Sequence, residues 1–75
     1  MNITTENLTA TVTVRYVGFP ECINNMINYW KANIFDLDGQ LIKINVDKML
    51  IRTKLSITFK CDHSLLDVVQ TMYNL

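Results

Sequence analysis

Seventy-five residues with seven acidic and seven basic side chains give a chain of one domain with no net charge at pH 7. That balance removes the overall field that draws a basic protein onto nucleic acid or an anionic membrane, so any charge effect has to come from arrangement. Hydrophobic residues make up 49%, too many for a disordered chain, and a domain this small leaves part of its apolar surface without a core to enter, which favours self-association or a partner. No apolar run reaches the ~20 residues of a membrane span, and the start, MNITTENLTATVTV, lacks the basic segment and apolar block of a signal peptide. The expectation is a cytoplasmic protein without membrane contact. Cys22 and Cys61 are too few for a disulfide scaffold and read as reduced thiols, with a single bridge between them left open.

From Leu8 the chain alternates, with Leu8, Ala10, Val12, Val14 and Tyr16 on one side and Thr9, Thr11, Thr13, Arg15 and Val17 on the other. That is the pattern of a half-buried strand. Gly18 ends it, and Pro20, whose missing N–H is no loss in the first turn of a helix, starts the next element. Ile23, Met26, Ile27, Trp30 and Ile34 recur at helical spacing, with Glu21, Asn24, Asn25, Asn28 and Lys31 opposite, which predicts an amphipathic helix. After Asp38-Gly39 the period returns to two, with Ile42, Ile44 and Val46 against Lys43 and Asn45, a second strand. A turn near Asp47-Lys48 leads to a third, where Leu55, Ile57, Phe59 and Cys61 alternate with Lys54, Ser56, Thr58 and Lys60. Asp62 or Ser64 caps a last helix, Ser64 and Asp67 resembling a capping box, with Leu65, Val68, Val69 and Met72 as its buried stripe.

The predicted order is β-α-β-β-α in a single domain over residues 1–75. This is an α+β fold with a three-stranded, mostly antiparallel sheet and two helices on one face. Inserting the third strand between the first two gives a split β-α-β unit that resembles a ferredoxin-like fold without its last strand, and makes the first strand, with Thr9, Thr11 and Thr13, a sheet edge.

The joint between helix and second strand is Ile34-Phe35-Asp36-Leu37-Asp38-Gly39-Gln40-Leu41-Ile42. It resembles motif one of the haloacid dehalogenase-like phosphotransferases, in which an apolar strand delivers a nucleophilic aspartate and a second aspartate acts two residues later. The resemblance implies Asp36 as nucleophile, Asp38 as acid/base group and a Mg²⁺ ion against both, because both carboxylates must face one phosphate. It spans nine of 75 residues, and no chain remains for the family's further Ser/Thr, Lys and acidic motifs. The segment is therefore expected to be a helix exit and turn, with Gly39 supplying a positive φ. Cys61, Asp62 and His63 offer too few ligands for zinc, Cys22 has no visible base, and Gly18 and Gly39 build no phosphate loop. No enzyme, metal or cofactor is assigned.

What remains is surface. The strand phases place Arg15, Lys43, Arg52, Lys54 and Lys60 on one sheet face, among threonines and serine, where they either meet a phosphate or acidic surface or only solvate the face. The layout is similar to an RNA-recognition motif, but the outward positions Thr13, Arg15, Ser56 and Thr58 carry no ring for base stacking. A protein partner is favoured over nucleic acid. An edge at Thr9, Thr11 and Thr13 offers β-augmentation or a continuous sheet across a homodimer. Met49-Leu50-Ile51, near a predicted hairpin tip, either forms an exposed contact point or belongs to an early start of the third strand. The abundance of Ile, Asn and Lys suits a phage or mobile-element protein from an AT-rich genome. The sequence thus points to a small non-enzymatic interaction module, an inhibitor or regulator that occupies a host protein's surface, with weak nucleic-acid binding as the alternative.

Overall fold

In the computed structural model, which describes residues 1–75, the chain runs β1 (Asn2–Glu6), β2 (Thr9–Gly18), α1 (Pro20–Asp36), β3 (Gln40–Lys48), β4 (Thr53–Asp62), a 3₁₀ turn (His63–Leu65) and α2 (Leu66–Asn74). The strands form one antiparallel sheet in the order β1-β2-β4-β3. Both helices lie on one face, because Ile23, Trp30 and Ile34 of α1 and Val69 of α2 share a core with the inward residues of β2 and β4. The molecule is a small α+β domain with four strands where the sequence pattern suggests three.

The additional strand is β1. Asn2–Glu6 has a single apolar side chain, Ile3, which packs against the core while its neighbours stay exposed. Pairing is made cheap by a two-residue turn: Asn7 takes φ 56°, a left-handed conformation that asparagine tolerates well, so Glu6 can sit opposite Thr9. Leu8, expected in the strand, lies in this turn with 69% of its surface exposed. The consequence corrects a second expectation. Thr9, Thr11 and Thr13 do not form an edge, because they pair with Glu6, Thr4 and Asn2 on one side and with Asp62, Lys60 and Thr58 on the other.

The period-two pattern of β2 and β4 sends Ala10, Val12 and Val14 and the facing Leu55, Ile57 and Phe59 into the core. Over them lies α1, begun by Pro20 at its first position with extended Phe19 before it. Trp30 is fully buried; its ring centroid lies 5.6 Å from that of Phe59, and its indole N–H donates to the Tyr16 hydroxyl at 2.8 Å. The last helix differs from the expected one. Asp62 accepts from the Ser64 N–H at 2.9 Å and caps the 3₁₀ turn, while α2 itself starts at Leu66 with no side-chain cap, so Ser64 and Asp67 form no capping box. The tighter turn rotates the helix so that Val69 is buried and Leu66, Met72 and Tyr73 are half-buried, leaving Val68 outside.

The exit of α1 is a Schellman motif. Gly39 N–H donates to the Ile34 carbonyl at 2.8 Å and Asp38 N–H to the Phe35 carbonyl at 3.1 Å. Asp38, not Gly39, holds the left-handed position, with φ 52°. Gly39 is needed for a different reason: a Cβ there would meet the Lys60 carbonyl oxygen at 3.0 Å and Ile34 Cγ2 at 3.1 Å. Gly39→Val should therefore lose ~2 kcal/mol or more through overpacking, whereas Asp38→Gly should stay within ~1 kcal/mol of the parent because glycine accepts the same φ. Urea unfolding of the two variants checks this, and equal losses from both would refute it.

Candidate interaction surface

Cross-strand partners in an antiparallel sheet share a face, so the register fixes what the helix-free face displays. Lys43 lies in a row with Thr58 and Thr13, Lys60 in a row with Thr11 and Gln40, Arg15 with Ser56 and Asn45, and Lys54 between Val17 and Asp47. The centre of the face is small and polar, with the Thr13 and Thr58 hydroxyls 3.0 Å apart. Arg52 is not on this face; it sits in the β3–β4 turn, where its carbonyl accepts from Met49 N–H at 2.8 Å. No lysine or arginine has a carboxylate within ion-pair distance; the one close contact between titratable side chains of this kind is His63 Nδ1 to Asp62 at 3.7 Å. The same register also places Glu6, Asp47 and Asp62 on this face. Four basic groups and three carboxylates leave a net charge of only +1 there (4 − 3 = 1). No aromatic ring joins them, since Tyr16 and Phe59, the aromatics of the two central strands, belong to the helix-facing set.

Apart from Val17, which is 55% exposed on this face, the main apolar exposure lies elsewhere. β3 is an edge strand, and the helix layer stops short of its outer row: Leu41, Ile42 and Val46 remain 38%, 47% and 47% exposed. At the far end, the hairpin tip carries Met49, Leu50 and Ile51, of which Leu50 is fully exposed. At the near end, Phe35 in the last turn of α1 is 81% exposed. They follow one another along the chain, from the exit of α1 through the β3 edge to the hairpin tip, and are read together as an apolar strip rather than as scattered surface hydrophobics. A β-bulge between Leu41 and Lys43 interrupts the strand near its start.

A second apolar feature has no counterpart in the sequence reading. Tyr16, Met26, Tyr29, Met72, Tyr73 and Leu75 line an open groove of about 260 Å³ between the helices. Its polar atoms are already engaged, as Tyr29 donates to the Met72 carbonyl at 3.2 Å and Tyr16 accepts from Trp30. Burial raises the Tyr16 phenol above its ordinary pKa, the Trp30 hydrogen bond only partly opposing it. The lining residues come from β2, α1, α2 and the Leu75 that follows it, so no local spacing announces them.

The residues considered for chemistry are dispersed. Asp36 and Asp38 are exposed at the helix exit, Cys61 is buried, and His63 lies out beside Asp62. No three His, Cys, Asp or Glu side chains gather in a cation-binding group, and no helix is long and apolar enough to cross a membrane. The Ser64 N–H holds the Asp62 carboxyl below the ordinary carboxylate range. No protein-family model, curated protein or solved structure matches the chain.

The open question of a bridge is decided by position. Cys22 lies against the Gly18 end of β2, whereas Cys61 pairs with Ala10 near the other end, ~25 Å away along the strand and far beyond disulfide reach. Both thiols are free, Cys22 exposed and Cys61 buried, the latter raised in pKa first by burial and then by Asp62. Alkylation followed by mass spectrometry should add one label to the native protein, at Cys22, and two in denaturant. Rapid native labelling of Cys61 would contradict its placement.

Proposed function

We propose that this chain is a small protein-interaction module that acts by occupying a surface of another protein. The carrying observation is the exposed apolar strip of Phe35, Leu41, Val46 and Met49-Leu50-Ile51 along β3. An apolar strip beside a free strand edge suits a partner that supplies apolar cover together with backbone hydrogen bonds. The β2-α1-β3-β4 portion is read as a split β-α-β unit extended by the β1 hairpin, with the helices as a support and the edge as the working part. An inhibitor or regulator from a phage or mobile element, working in the cytoplasm of its host, fits a domain of this size with no gathered catalytic groups.

A second reading has its own observation. Arg15, Lys43, Lys54 and Lys60 are not tied up in ion pairs, which leaves them available to phosphate. Without rings for stacking and with three carboxylates on the same face, such binding would be weak and steeply salt-dependent.

The test compares the parent with a Leu50→Glu, Ile51→Glu double variant in capture from host lysate and in oligonucleotide titrations. The protein-interaction reading expects a captured protein that the double variant loses. Capture unchanged by the variant, or an oligonucleotide affinity that falls steeply with salt and is lost in Lys43→Glu, Lys60→Glu, would replace it with the alternative.

A further inference from the structure

β3 is the one long strand edge that the fold leaves uncovered. β4 is flanked on each side and β2 is flanked on both sides from Thr9 to Thr13, leaving only Val14–Gly18 without a strand on the β1 side; the other edge strand, β1, is only five residues with one apolar side chain. β3 offers nine, Gln40–Lys48. Which of its backbone groups are free follows from the hairpin. Met49 N–H donates to the Arg52 carbonyl, so by antiparallel alternation the backbone groups of Asp47, Asn45 and Lys43 point to β4, and those of Lys48, Val46 and Ile44 point outward.

We propose that this edge pairs with the same edge of a second copy, antiparallel about a twofold axis at Asn45, to form a homodimer with one continuous sheet. Lys43 then faces Asp47 of the second copy, and Asp47 faces its Lys43, all four on the helix-free face where Lys43 sits opposite Thr58 and Asp47 opposite Lys54. Ile44 and Val46, on the helix-facing side, meet Val46 and Ile44 of the second copy, and these are the residues whose outward N–H and C=O groups are free to pair across the edge. The ends are complementary as well. Phe35 and Leu41 lie at the start of the edge and Met49-Leu50-Ile51 at its finish, so antiparallel pairing brings the apolar start of each copy to the apolar tip of the other.

Charge selects the register. Moving the axis to Ile44 or to Val46 preserves the backbone pattern but sets Lys43 against Asn45 or Met49, so only the Asn45 axis pairs the opposite charges. A lysine in the middle of an edge strand ordinarily deters other strands. Here it is neutralised by an identical edge in the right register, which gives the pairing its specificity. The inference deepens the interaction reading, and rests on it in treating the β3 strip as a contact surface.

Sedimentation of the parent and of charge variants over a concentration series tests it. The parent should be a dimer. Lys43→Asp and Asp47→Lys should each weaken dimerisation by ~10-fold or more, because each sets like charges opposite one another twice per dimer. The double variant, Lys43→Asp with Asp47→Lys, should recover the dimer. A mixture of the two single variants should form a heterodimer, since every charged pair is then unlike, and this rescue also shows that both single variants are folded. Amides of Ile44 and Val46 should gain protection from hydrogen exchange as the parent dimerises. A monomeric parent, single variants that dimerise as well as the parent, or absence of rescue in the mixture overturns the proposal. A monomer that still captures a Leu50-dependent host protein refutes the dimer alone, whereas a dimer that captures nothing refutes the foreign partner alone.

Discussion

The hydrogen bond from the Trp30 indole to the Tyr16 hydroxyl, 2.8 Å long, is the joint on which the other parts hang. Only 12 of 75 residues are buried, so the domain has little apolar interior to spare, and the largest buried side chain also carries a polar N–H. Left unpaired in the core, that N–H would cost ~1–3 kcal/mol, more than the ~0.8 kcal/mol that one buried methylene contributes. Tyr16 accepts it, and in doing so is held where its ring meets Tyr73 of α2 at 5.6 Å, while the Trp30 ring lies against Phe59 of β4. One polar contact thus brings both helices and both central strands to a common point. The short α2 depends on this arrangement most, since Val69 is its only buried residue.

What the sequence made legible was whatever a few neighbouring residues decide. The alternation in Thr9–Gly18 and Thr53–Asp62 is strong because both strands are central and have one face fully covered. The stripe ending at Ile34 is a helix whichever sheet it packs on. β1 was not legible, because an edge strand with one inward position needs only Ile3 to be apolar. Its signals are weaker ones, the threonines that favour extended backbone and an Asn7 able to take a left-handed turn. Gly39 shows the same limit at a single residue. A glycine after Asp38 suggests a positive φ, but the actual demand is the approach of Ile34 and the Lys60 carbonyl, and Lys60 is far away in the chain.

The surface was harder to foresee than the core for the same reason. Four of five basic residues were placed on the correct side from strand phase alone. The carboxylates that join them, Glu6, Asp47 and Asp62, reach that face through pairing partners, which a single strand's pattern does not reveal. Likewise the apolar side of β3 reads as core from its alternation, and becomes surface only because the sheet order puts it outermost, where α1 does not fully cover it. Met49, Leu50 and Ile51 stay outside because the strand that follows them begins at Thr53, too late to fold them inward.

The covering of β2 has a consequence for how the chain behaves in a crowded solution. Its ten residues are rich in Val and Thr, the composition that templates cross-β growth when an edge is bare. β1 closes the stretch from Thr9 to Thr13, and beyond its reach the Tyr73 hydroxyl of α2 donates to the Arg15 carbonyl at 3.4 Å. The two terminal segments therefore act as shields for the same strand from opposite ends of the chain. Loss of either one would lengthen the bare edge of β2, which beyond Thr13 already has no strand beside it on that side, so the two segments limit strand-to-strand pairing with other chains as well as adding to stability.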